Sequence, residues 1–319
     1  MPSDSGGRKA SREIGGSSRL PNGAATLYGP RAPRPVPAAP KGHRMIRIVY
    51  ANLGYSRAID GSLGHHVRRA HRHLFTTERV QRRALNHVRE RLDALQPDLA
   101  CFVEIDRGSF NNGFLDQMRL LADERHTTVR IDNKYGADKH FRRLSVSRGK
   151  SNAFLATRPI RYAARYLSAG KKRLVYDIEM EGVRVLAAHL SLRYRIRCLQ
   201  IRELAAWVAE SGGPTVVVGD FNLFRGAGEL APLLGSGQLV HANEKAGPTF
   251  RLGPYRATLD TCLVSRDLIS ACRVTILDQP YSDHQMIRLD IEGIGGETAP
   301  ERALLVADPM DPAEPPMLS

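Results

Sequence analysis

Apolar residues recur along this chain in two periods, and the points where the period changes outline the elements. Ile46 to Ala51 is a near-continuous apolar run, the pattern of a buried strand, and it stops at Asn52. From about Thr77 to Leu95, Val80, Ala84, Leu85, Val88, Leu92 and Leu95 return every three or four positions. That is the stripe of an amphipathic helix, which Pro97 helps to stop. LACFVEI then reads as a buried strand ending at Glu104, followed by an expected helix around Phe114–Glu124 and a polar, basic loop to about Lys150. The strand NAFLATR, a hairpin from LVYDIEM through Gly182 into VRVLAAHLSL, a helix over Arg195–Glu210 and the apolar strand TVVVGD come next. ATLDTCLVS, ACRVTILD and HQMIRLDIE complete the strands. Strands alternate with helices, yet hairpins also occur, so a large α/β domain with mixed sheets is expected.

The ends of the chain differ from this pattern. Residues 1–43 are rich in Gly, Ser, Pro, Ala and Arg without apolar periodicity, and are expected to be a disordered tail. Met45 stands just before the first strand and is a candidate start of translation, which N-terminal sequencing of the native protein tests. Residues 44–292 read as one domain and 293–319 as an acidic, Pro-rich tail. No apolar run approaches the roughly 18 residues of a membrane-spanning helix, and no compact apolar region of a signal peptide precedes the domain. The default expectation is the cytoplasm.

Composition adds a charge argument. The 319 residues are 42% hydrophobic and 25% charged, which fits a globular protein with a sizeable core. The formal net charge of +14 attracts polyanions such as nucleic acid, anionic lipid or a phosphorylated metabolite, although arginine used as a solubilising residue produces the same number. Cys101, Cys198, Cys262 and Cys272 form no C-x-x-C pair and are expected to be reduced thiols. His65, His66, His71 and His73 raise the idea of a zinc hydrolase. They lack H-E-x-x-H spacing, and their arginine-rich surroundings would repel a cation, so an exposed loop is expected.

The chemistry gathers where apolar strands stop. Asn52, Glu104, His189, Asp220 with Asn222, and Asp283 with His284 all follow or begin such runs. Strand ends are rigid platforms where ligands of α/β sheets bind. A carboxylate at the end of a buried strand needs a partner, and a metal ion supplies one. Oxygen ligands without sulfur suit Mg²⁺ or Mn²⁺. Singly, each residue has an ordinary reading as a turn former, cap or satisfied histidine; their joint order is the signal.

That order resembles the endonuclease/exonuclease/phosphatase superfamily, whose members include DNase I. The resemblance runs over roughly residues 45–292. It rests most on VVVGDFN, on TLD before an apolar strand, and on SDH before a strand, with YANLG, PDLACFVEID, SNAFLATRPI and AAHLSL in the expected order. It implies a four-layer sandwich: two mixed β-sheets packed face to face with helices outside. It further implies that Glu104, with Asn52 beside it, binds Mg²⁺ or Mn²⁺, and that Asp283 serves the metal or its water shell. By the same resemblance Asp220 activates water, Asn222 and Asn152 contact phosphate, His284 acts at the scissile phosphate with Asp260 orienting its ring, and His189 is a second catalytic histidine. Gly54 stands where some members carry another acidic residue, and Thr261-Cys262 follows Asp260 where an aromatic and an apolar residue are common. The expected function is a metal-dependent phosphoester hydrolase acting on nucleic acid or on a small or lipid phosphoester. The alternative is a non-catalytic nucleic-acid-binding protein on the same fold, whose signature would be lost catalytic groups; none is lost here. Trp207 has the spacing of a packing residue, and with aromatics at 6% no base-stacking platform is evident.

Overall fold

The computed structural model describes residues 44–136, 144–210 and 212–294. The expected N-terminal tail, and all but the first two residues of the C-terminal one, lie outside these. The first sheet has the order β13 (Cys272–Leu277), β14 (Met286–Ile294), β1 (Arg44–Asn52), β2 (Leu99–Asp106), β4 (Lys150–Ala156) and β3 (Thr128–Asn133). In the second, β5 (Arg161–Tyr166), β6 (Leu174–Met180), β7 (Val183–His189), β8 (Thr215–Asp220), β12 (Asp260–Ser265) and β9 (Leu239–His241) lie side by side. The pairs β1–β2 and β7–β8 are parallel and the other neighbours antiparallel, so both sheets are mixed as expected. A short hairpin, β10 (Phe250–Leu252) with β11 (Tyr255–Ala257), stands apart from both.

Side-chain alternation stacks these layers. Ile46, Ile48 and Tyr50 of β1, with Cys101 and Phe154, pack against Val185, Val216, Val218 and Cys262 of the second sheet in one inter-sheet core. The intervening residues of the second sheet, Leu186, Val217 and Leu263, form another core with Ile201, Leu204 and Val208. Those three belong to α4 (Tyr194–Ala209), and α5 (Ala231–Leu234) adds Leu233. On the opposite side α2 (Glu78–Leu95) buries Ala84, Leu85, Val88 and Leu92, the predicted stripe. Its C-terminus is tied to β1, where the Arg47 guanidinium donates to the Leu95 carbonyl. The four-layer α/β sandwich is thus the observed fold.

Some expectations fail for local reasons. The helix over Phe114–Glu124 shrinks to the single turn α3 (Met118–Leu121), because Gly113 and Phe114 take left-handed φ values of 61° and 59°. The expected loop before Lys150 contains β3, and β5 was not foreseen either. Both are outermost strands in their sheets, where one side is unpaired and charge is favoured, so neither carries an apolar run. The histidine-rich stretch is α1 (Leu63–Arg68) followed by a 3₁₀ turn over Ala70–His73, rather than a loop. Ser62 caps α1 by accepting the His65 N–H at 3.2 Å. All four cysteines are free thiols, with Cys101 and Cys262 buried and Cys198 and Cys272 partly so.

Candidate active site

The site is the polar end of the inter-sheet core. The inward register that places Ala187, Val218 and Cys262 in that core ends, two residues further in each strand, at His189, Asp220 and Asp260. These three stand in one row across β7, β8 and β12, since Asp220 pairs with His189 on one side and Asp260 on the other. Gly219 permits the close approach behind the row: a Cβ there would lie 2.1 Å from the Ala188 carbonyl oxygen. In the first sheet the inward series Ile46, Ile48, Tyr50 ends at Asn52, whose Nδ2 donates to Asp220 Oδ2 at 3.1 Å. That hydrogen bond joins the two sheets. The Asn52 carbonyl oxygen in turn accepts from Gln279 Nε2 at 2.7 Å and Ser282 Oγ at 2.9 Å, which fixes the loop carrying Asp283 and His284.

Asp220, Asp260 and His284 are all buried, with donor atoms within 4.8 Å of one another. His284 Nδ1 and Asp260 Oδ2 are 2.7 Å apart, the geometry of an oriented imidazole. Burial alone would discharge His284, but Asp260 and Asp220 beside it push its pKa up to about 10, so the proton stays on the ring. Burial likewise opposes the charge on Asp220, yet His284 and His189 hold its carboxyl below the usual carboxylate range. Its Oδ1 accepts the Asn222 N–H at 3.0 Å. The Asn222 side-chain amide donates to the Leu190 carbonyl at 3.0 Å. His189 Nε2 lies 3.3 Å from Asp220 Oδ2 and also contacts Lys172 Nζ. Burial and then Lys172 bring its pKa down to about 4, so this second histidine is neutral, and its buried Nδ1 has no hydrogen-bond partner among the described residues.

Glu104 reaches the site through a bulge. The β2–β4 register slips between Phe102 and Ile105, so Val103 and Glu104 together oppose Asn152, and Glu104 takes a left-handed φ of 52°. Bulges of this kind re-aim a side chain. Glu104 is not sealed in as its apolar strand suggested: its side chain is 21% exposed. Burial raises its carboxyl, but Lys172, Lys134 and His189 outweigh that and hold it far below the usual range. Lys172 Nζ, at 3.7 Å, is an ion-pair partner too distant for a hydrogen bond, and the neutral His189 Nε2 lies 3.9 Å away. Asp283 is partly buried and its pKa raised by burial, with His284 opposing and Glu104 adding to the rise. Beside the bulge, the buried Asn152 Oδ1 has no partner among the described residues. Two carboxylates that repel each other and the Asn52 side chain make a hard-oxygen donor set that fits Mg²⁺ or Mn²⁺. The Asp220–Asp260–His284 group fits a cation less well, because His284 is already the positive partner there.

Asp106, two residues on, fastens a loop. Its Oδ1 accepts the N–H groups of Gly108 and Ser109 at 2.8 and 2.6 Å, and its Oδ2 accepts from the Ser109 hydroxyl. Several site residues carried no sequence signal. Lys172 and Lys134 lie just outside strands, in turns that resemble any polar loop. Lys134 is 5% exposed, and burial with its cationic neighbours brings its amine down to about 7. Phe250 packs on His284 with ring centroids 5.0 Å apart, flanked by Phe224 and Tyr255 at 6.3 and 6.4 Å. This aromatic wall depends on the β10–β11 hairpin, which the apolar pattern did not announce.

A sandwich of two mixed six-stranded sheets with a polar cluster at one end of its inner layer defines the class of DNase I-like proteins. Residues 77–284 match the model of the Endonuclease/Exonuclease/phosphatase family, and the chain belongs to that family of phosphoester hydrolases. Among solved structures, TDP2 from Caenorhabditis elegans is similar at 16% identity and a TM-score of 0.54, over 78% of this chain and 74% of that one. An endonuclease/exonuclease/phosphatase from Beutenbergia cavernae is similar at 19% identity and a TM-score of 0.58, over 79% and 72%. A mannosyl-6-phosphatase of Bacteroides thetaiotaomicron is similar at 14% identity and a TM-score of 0.51, over 76% and 98%. At such identities these likenesses are of fold. No curated protein matches the sequence. Among the described residues no helix is long and apolar enough to cross a membrane.

Proposed function

We propose that this chain is a Mg²⁺- or Mn²⁺-dependent phosphoester hydrolase that attacks phosphorus with water. The observation that carries the reading is the convergence of Asn52, His189, Asp220, Asp260 and His284 from both sheets on one buried point, with Glu104 aimed beside it. Glu104, Asn52 and Asp283 are the residues to hold the cation, which when bound neutralises phosphoryl oxygens as a Lewis acid. Asp220, kept ionised, accepts the proton of the attacking water, and its bonds from Asn52 and Asn222 fix the direction of its lone pairs. His284, kept protonated by Asp260, donates to a phosphoryl or leaving oxygen as negative charge develops there. Neutral His189 and the Asn222 and Asn152 side-chain amides contact the remaining phosphate oxygens. The substrate is a nucleic acid or a small or lipid phosphoester.

The test is hydrolysis by the purified protein of a panel with Mg²⁺, Mn²⁺ or EDTA. The panel contains abasic and intact DNA, RNA, sphingomyelin, inositol phosphates and bis-p-nitrophenyl phosphate. Metal-dependent turnover that both Asp220→Ala and His284→Ala abolish supports the reading. Turnover that survives EDTA and both substitutions refutes it.

A further inference from the structure

We propose that the groove between α2 and the turn before His284 is an effector site, which takes a small anion bearing carboxylate or phosphate and steadies that turn. The binding stands by itself; its effect on turnover rests on the hydrolase reading above.

The groove encloses roughly 750 Å³ along the outer face of α2 and is flanked by Tyr281. Arg79, Arg83 and His87 line it, each four residues from the next and so on one side of the helix. Arg79 has no hydrogen bond or ion pair among the described residues. Arg83 Nε donates to the Tyr281 hydroxyl at 3.1 Å, and its two terminal nitrogens have no hydrogen-bond partner among the described residues. The neighbouring carboxylates do not answer this charge. Glu78 is taken by Arg82, at 2.6 Å. Glu90 is 76% exposed and lies 4.0 Å from His87 Nδ1, two helical turns or about 10 Å beyond Arg83.

A second observation does not depend on charge. His87 Nε2 is buried without a hydrogen-bond partner among the described residues, and the ring of Tyr281 packs edge-on against it, with centroids 5.4 Å apart. A buried ring nitrogen left unpaired is costly, and an oxygen from an anion in the groove pairs it. Two guanidinium groups with unused donors, that nitrogen and an aromatic wall suit a small oxyanion. Tyr281 couples the groove to the site. It precedes Ser282, whose hydroxyl donates to the Asn52 carbonyl at 2.9 Å and accepts the His284 N–H at 3.2 Å. The Ser282 N–H donates to the Gln279 carbonyl at 3.2 Å and closes the turn that carries Tyr281. An anion bridging Arg83 and His87 pins Tyr281 from outside, and through that turn it fixes His284.

The test is calorimetric titration of the full chain in EDTA, with succinate and separately with inorganic phosphate, which tells a carboxylate source from a phosphate one. At least one probe is expected to bind, and about 10-fold more weakly in Arg83→Met and in Arg79→Met. Affinity should stay unchanged in Arg202→Met, which removes a charge from the exposed face of α4. Arg79 and Arg83 are themselves exposed, so their variants keep the fold. Phosphate held at the catalytic residues is not weakened by these substitutions. Hydrogen exchange of the Ser282 and His284 amides should slow when the probe is bound, and not in Arg83→Met. In hydrolysis of bis-p-nitrophenyl phosphate the same probe should raise kcat in the wild type alone. Binding of neither probe, binding that survives both arginine variants, or exchange that the bound probe leaves unaltered overturns the proposal. Titration and exchange need no turnover, so a chain that binds the anion and hydrolyses nothing refutes the hydrolase reading and leaves the site standing.

Discussion

Arg197 is a buried cation whose loss should be felt in both stability and the site. Its side chain is 1% exposed and that of its partner Glu229 4% exposed. Nε and Nη2 donate to the two Glu229 oxygens at 2.8 and 2.9 Å, and Nη1 donates to the carbonyls of Ser191 and Leu192 at 3.0 and 2.9 Å. Removing one partner of such a pair costs about 3–5 kcal/mol, because the other charge is left buried without compensation. Glu229→Gln keeps the shape and leaves the two carbonyl contacts, so it belongs at the low end, about 3 kcal/mol. Arg197→Met also releases both carbonyls and leaves the carboxylate with only the Arg225 N–H, which places it near 5 kcal/mol. For a domain of this size 1 kcal/mol corresponds to roughly 2–4 °C in Tm, so the shifts span about 6–20 °C. The double variant Arg197→Met/Glu229→Met buries no charge and should lose much less than the sum. Thermal and urea unfolding followed by circular dichroism measure all three. The freed loop follows His189 and carries the Leu190 carbonyl that holds Asn222, so phosphoester hydrolysis should fall in the single variants even at 20 °C. Single shifts below about 2 °C, or a double variant that equals the sum, would refute the coupling.

Asp260→Asn removes the anion that keeps His284 charged, and hydrolysis of bis-p-nitrophenyl phosphate should fall by about 10²–10⁴-fold with an unchanged circular dichroism spectrum. Gly219→Ala sets a methyl 2.1 Å from a backbone oxygen between paired strands and should cost several degrees of Tm, whereas Gly212→Ala, with nothing within 4 Å, should be silent in the same melt. Burial pushes the Cys101 thiol up to about 12 and raises Cys262 too, so at pH 8 both should resist a thiol reagent in the folded protein and react on denaturation, which mass mapping of the labelled cysteines reads out. Burial opposes the charge on Asp177, but Arg184 and Arg165 hold its folded carboxyl below its unfolded value. Its contribution to stability is therefore present above the unfolded pKa, near 4, and is lost as pH falls through the folded one. Asp177→Asn should flatten the acid limb of a pH–Tm curve and leave the fall above pH 8 unchanged.

How much of this was legible in the sequence depended on burial. TVVVGD announces both a strand and its polar end, because a central strand is apolar on both faces and a carboxylate after it is conspicuous. The same holds for the strand that ends at Glu104, and the Asp260 and His284 of TLD and SDH lie 2.7 Å apart. The bulge was not legible, since it is a property of two strands in register and not of LACFVEI alone. Lys134 and Lys172 were invisible for a different reason: a lysine in a turn looks solvated until the fold folds another loop over it. The outermost strands β3 and β5 escaped because half of each faces water.

The Asn52–Asp220 hydrogen bond has a further consequence. Its donor belongs to one sheet and its acceptor to the other, so the carboxylate proposed to activate water is oriented by the spacing of the whole sandwich. A loosened state that keeps its secondary structure swells by roughly 10–20% in radius, far more than a 3.1 Å contact tolerates. Chemistry should then vanish before the strands do, which makes catalytic rate a finer gauge of tight interior packing than any spectrum of the backbone.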